Sequence, residues 1–169
     1  MKLFQKLGRR KTDPLRGKAE RLISSAAVNA TTMFLPMLDR HPVLKTVNPT
    51  QWDFLVTIAS VFMAATRLQN LKLSDDRQQE LMGVVARDLA DWGPENGIRG
   101  FEDCKAMFER NFDALTSIQH EPQFIASDAV GMWIVLNLLQ RSPETDEELK
   151  LVRAVGVSVV HTFISWWSN

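Results

Sequence analysis

At 169 residues the chain is long enough for one domain with a substantial core, on a prior of roughly 150 residues per domain. Its 45% apolar and 24% charged content is that of a globular protein rather than a disordered or fibrous one, and a net charge of +0 argues against nucleic acid as a partner of the whole chain. The single cysteine, Cys104, excludes an intramolecular disulfide and a Cys-rich zinc site, and a reducing, cytoplasmic setting is the simplest expectation.

The neutral total hides a division. Residues 1–21 hold eight of the twenty cations and two of the twenty acids, a net of +6, so the remainder carries −6. Residues 1–12 form a basic segment with a small apolar side, in which Leu3, Phe4 and Leu7 stand at helical spacing among Lys2, Lys6, Arg9, Arg10 and Lys11. Arg9-Arg10-Lys11 cuts across the place where the apolar part of a secretory signal would lie, so none is expected.

Residues 13–169 read as one helical domain of about six helices. Asp13-Pro14 opens the first, Asp as N-cap and Pro at the first helical position. Leu15, Ala19, Leu22, Ala26, Ala30, Met33 and Met37 form its stripe, and Pro36 and Pro42 bracket its end. Asn48-Pro49 repeats the start signal for a second helix to about Asn70, which has almost no polar face. In it, Thr50 with Asp53 has the character of a capping box. Ser74-Asp75-Asp76 caps the third helix, with Leu81, Val85, Leu89 and Trp92 as its stripe. The glycine-rich stretch from Gly93 to Gly100 predicts a loop, and Phe101, Cys104, Phe108, Phe112, Leu115 and Ile118 then mark an amphipathic fourth helix. Glu121-Pro122 breaks it. Ser127-Asp128 is the expected cap of a fifth helix, and Ser142-Pro143-Glu144 of the last. The last segment is rich in β-branched residues, which favours strand, yet a lone strand among helices has no pairing partner. The expectation is therefore an all-α bundle around an apolar C-terminal helix.

Helices one, three and four are one-sided, whereas two, five and six are apolar over most of their circumference. Three covering faces are few for three apolar helices. The surplus predicts either a homodimer interface or an apolar small-molecule pocket among helices two, five and six, lined by Trp52, Phe62, Trp133, Asn137 and His161. Small residues such as Ala59, Gly131 and Gly156 supply the plainer explanation, since they make a face look more apolar than it is.

Familiar chemical motifs are missing. The glycine stretch has neither the Gly-Lys-Ser/Thr of a phosphate loop nor the spacing of a dinucleotide fingerprint, and a calcium loop from Asp91 would put Gly93 and Asn96 at wrong positions. His41, His120 and His161 lack an acid or histidine at ligand spacing, so no metal, cofactor or catalytic residue is assigned. His161, inside the apolar helix, is expected to be a core histidine with a hydrogen-bond partner, and Cys104, on its helix's stripe, a buried inert thiol. Adjacent helical residues point about 100° apart, so Trp166 and Trp167 are both covered only if the helix end is enclosed on two sides. No run reaches the ~20 apolar residues of a membrane span.

The functional expectation is a non-enzymatic interaction or adaptor module that self-associates. Its basic N-terminus, with Leu3, Phe4, Leu7, Arg9, Arg10 and Lys11, is suited to an anionic membrane surface or an acidic protein, and Trp166-Trp167 offers a second interface.

Overall fold

The computed structural model describes residues 13–118 and 121–168, so the expectations for residues 1–12 and for His120 fall outside it. Six helices follow in order: α1 (Pro14–Arg40), α2 (Pro49–Leu68), α3 (Asp75–Trp92), α4 (Gly97–Thr116), α5 (Pro122–Leu139) and α6 (Asp146–Phe163). A 3₁₀ turn, Pro42–Thr46, joins the first two, and no strand occurs among the described residues. The β-branched last segment is helical, as expected.

Local chemistry sets the starts. Asp13 Oδ1 accepts from the Leu15 and Arg16 amides, Asn48 Oδ1 from that of Thr50, and Ser74 Oγ from that of Arg77. Five local features depart from expectation. α1 runs through Pro36 to Arg40; this proline lies on the exposed side, where water can take the Thr32 carbonyl left without an N–H partner. Asn48 caps α2 as expected, but Thr50 lies inside the helix, so Thr50 and Asp53 form no capping box. α4 starts at Gly97, four residues before Phe101, and α5 at Pro122 rather than after Ser127, which is buried. The cap of α6 is Thr145, whose hydroxyl accepts from the Glu148 amide (3.2 Å) while the Glu148 carboxylate accepts from the Thr145 amide (3.1 Å).

The deepest helix is α2. Thirteen of its twenty residues are buried, and α1, α4, α5 and α6 all pack on it. Trp52 is fully buried, donating Nε1–H to the Ala30 carbonyl (2.9 Å) with its ring against Phe34. α6 stands beside α2, eight of its eighteen residues buried, and makes its most extensive contact with α5. That contact depends on glycine. A Cβ at Gly156 would overlap the Ser127 carbonyl oxygen and one at Gly131 the Val152 carbonyl oxygen, so the backbones cross at a distance no side chain permits. The close crossing buries apolar faces of α5 and α6 against each other, which answers part of the shortage of covering faces. The Asp128 carboxylate joins the same helices by pairing with Arg153, whose guanidinium lies 4.2 Å above the Phe124 ring.

Candidate binding surface between the first and last helices

The five pocket residues expected among α2, α5 and α6 do not converge. Trp52 belongs to the α1–α2 core. Phe62 faces α4, its ring 5.8 Å from Phe101 and 5.0 Å from Phe108. Trp133 is buried on α5 and donates Nε1–H to Asp103 of α4 (2.8 Å). Asn137 is half-buried and gives its amide N–H to the Trp133 carbonyl (2.8 Å). His161 is exposed, which overturns the expectation of a core imidazole. The physical reason is that α6 buries only one side; Val157, Thr162 and Leu149 are exposed with it.

Two open clefts result. One, of about 520 Å³, lies among α2, α4 and α5 with Phe54, Arg99, Asp103, Trp133 and Asn137 in its walls. The Asp103 and Asn137 bonds just described tie α4 to α5 and one turn of α5 to the next, so these groups already have structural work. The other, of about 420 Å³, lies among α2, α3 and α4, and its Phe62, Phe101 and Phe108 rings meet edge to face.

A third groove is built differently. α1 passes the end of α6 and leaves an apolar cleft of about 470 Å³ lined by Ser24, Ser25, Val28, Asn29, Thr32, Thr162, Phe163 and Trp166. A second cleft of about 280 Å³, lined by Lys18, Arg21, Thr162 and Trp166, adjoins it. Both share Thr162 and Trp166, so they form one groove with a basic end and an apolar end. Among the described residues no acid lines either. On the outer side of α1, Val28 and Leu35 are each 66% exposed, among the largest exposures of any apolar residue described. The two lie seven apart, on one helix face.

The tryptophan pair is divided between two enclosures, as their 100° separation demands. Trp167 is buried and donates Nε1–H to the Ala64 carbonyl of α2 (2.7 Å). Trp166 is half-buried in the groove, its ring 5.8 Å from Phe163. Lys18 Nζ donates to the Trp167 carbonyl (2.9 Å), which fixes the start of α1 to the end of the last turn. The Trp166 Nε1 and Asn29 Nδ2 donors are both shielded from solvent and have no hydrogen-bond partner among the described residues. The sequence carried a signal for this face that the stripe of α1 obscured: Val28 and Leu35 lie off that stripe yet share a face.

The titrations point elsewhere. Burial pushes the Cys104 thiol well up, in keeping with an inert core residue. Burial lowers His41, against the opposing pull of Glu147. Hydrogen bonds from Arg141 and from the Glu144 and Thr145 amides hold Glu148 at about 2. Among the described residues no cluster of His, Cys, Asp and Glu is placed to hold a metal ion, and no helix is long and apolar enough to cross a membrane. No protein-family model, curated protein or solved structure matches this chain.

Proposed function

We propose that the chain is a non-enzymatic docking module that settles on an anionic membrane surface through the outer side of α1 and the basic segment before it. The observation that carries the reading is where the positive charge sits. Both acids of residues 1–21 are engaged by arginines, Glu20 by Arg16 (3.0 Å) and Asp13 by Arg77, while Lys18 and Arg21 line a groove with no acid among its described residues. The same side of α1 presents Val28 and Leu35 to solvent, and Trp166 lines the groove with Val28. Cations flanking apolar residues and a tryptophan are the composition of an interfacial site. Each Lys or Arg near an anionic bilayer contributes about 1 kcal/mol at moderate salt.

Co-sedimentation with vesicles tests it, using phosphatidylcholine alone and phosphatidylcholine with an acidic phospholipid. The full chain is expected to bind only the acidic vesicles, and less as salt rises. A chain lacking residues 1–12 is expected to bind more weakly. Equal binding by both chains removes the N-terminal segment from the reading, and no binding to acidic vesicles refutes it.

One observation favours self-association as a second reading. The apolar stripe of α4 is incompletely covered: Phe112 is exposed, Phe108 and Leu115 are half-buried, and Ile118, just past the helix end, is exposed too. Light scattering on the full chain beside Phe112→Asp decides it, because a monomer in both samples ends the dimer reading.

A further inference from the structure

We infer that the groove between α1 and α6 holds one molecule of an acidic phospholipid, with its phosphate at Lys18 and Arg21 and an acyl chain running along α1 past Val28. The source of the lipid rests on the docking reading above; the site itself rests on the groove.

Two features specify the ligand. The first is shape. From Lys18 to Thr32 α1 rises about 21 Å, so the groove offers a linear track rather than a compact pocket. The second is polarity along that track. It passes from two cations to a wall in which Val28, Phe163 and Trp166 stand among Ser24, Ser25, Asn29, Thr32 and Thr162, with no acid among the described lining residues. A neutral apolar ligand leaves the cations unused, and a small inorganic anion leaves the apolar wall unused. An anionic amphiphile uses both. A cationic ligand would meet Lys18 and Arg21 with like charge.

The same charges argue against two other occupants. Residues 1–12 carry five cations and no acid, so folding them back would place like charge against Lys18 and Arg21. A second copy of the chain docked face to face would do the same.

The test uses the full chain in two arms. In the first, native mass spectrometry is run with dihexanoyl phosphatidylglycerol kept below its micelle-forming concentration. One added lipid per chain is expected, with affinity about tenfold weaker in Arg21→Glu, a charge reversal, and similarly weakened in Val28→Asp. Both positions are exposed, and circular dichroism checks that each variant is folded. In the second arm, vesicles containing acyl-brominated phosphatidylglycerol quench tryptophan fluorescence. Trp166→Phe is expected to lose most of that quenching.

Vesicle binding without an adduct and without quenching at Trp166 overturns the groove site while leaving the docking reading intact. An adduct without vesicle binding upholds the site and overturns docking. An adduct seen only in a chain lacking residues 1–12 assigns the groove to that segment and overturns the inference. Competition by inorganic phosphate as effective as that of the lipid reduces the site to an anion site and overturns the acyl part.

Discussion

Replacing Gly156 by alanine sets two effects of opposite sign against each other. In an exposed helix interior, alanine is more favourable than glycine by about 1 kcal/mol. At Gly156, however, the new methyl would overlap the Ser127 carbonyl oxygen and lie 2.7 Å from its carbon. The obstacle is backbone, which no rotamer change relieves, so α5 and α6 must move apart along their most extensive contact. Overpacking of this kind costs about 1–3 kcal/mol, and the rigid obstacle places this case at or above the upper end. The net expectation is a loss of about 2 kcal/mol. For a chain of this size each kcal/mol moves Tm by about 2–4 °C, so Tm falls by roughly 4–8 °C. Gly131→Ala, which meets the Val152 carbonyl in the same way, falls alongside it. Gly83 is the internal control. It lies inside α3, is exposed, and has nothing within 4 Å of a Cβ placed there. Gly83→Ala is expected to raise Tm by about 2–4 °C through propensity alone. Calorimetry or thermal circular dichroism on the three variants reads the signs directly. If Gly156→Ala matches or exceeds the wild type, the close crossing of α5 and α6 is wrong.

Three further outcomes follow from named contacts. The Glu148 carboxyl is held at about 2 in the folded chain against 4.5 for the free group, so its stabilising contribution is complete above about pH 5 and is lost as pH falls towards 2. Urea midpoints should decline across that window more steeply in the wild type than in Glu148→Gln, and parallel profiles would contradict the assignment. Trp133→Phe deletes the bond to Asp103 at the cost of about 1 kcal/mol, as does Asp103→Ala; because the bond is shared, the double variant should lose less than the sum of the two. Additive losses would show that the pair does not couple α4 to α5. Cys104 is fully buried with its thiol pushed well up, so a thiol reagent should modify it only at the rate at which the bundle opens, and fast labelling of the native chain would refute its placement.

The helix starts at Asp13, Asn48 and Ser74 were legible because an N-cap is local chemistry: one side chain meets an amide two or three residues on. The buried Cys104 was legible from its position on a helical stripe. Where the reading failed, the deciding contact lay far away in sequence or two local signals competed. Pro122 is both a good helix breaker and a good first residue, and it opens α5 five residues before Ser127. Gly97 reads as loop, yet it sits inside the first turn of α4 because a Cβ there would lie 2.6 Å from the Leu89 carbonyl oxygen; the crossing of α3 with α4 selects it. His161 looks buried from its neighbours alone. Only the pairing of α6 with α5 and α2 decides which of its sides faces water. The groove was half legible. Trp166 and the basic start of the chain both stood out, but nothing local says that they lie next to each other, 149 positions apart at the Lys18–Trp167 contact.

That contact also gives the molecule an electrical direction. It brings the cationic start of α1 against the end of the chain's last helix. The opposite end of that helix carries Asp146, Glu147 and Glu148 in its first turn. Eighteen helical residues put about 27 Å between the two poles, several screening lengths at physiological salt. Under the docking proposed above, an anionic surface would turn the start of α1 forward and hold the acidic pole outward before any side chain touches it. Whatever binds at that outward pole would be presented to solvent with a fixed polarity, and the alignment should weaken with added salt well before the contacts themselves do.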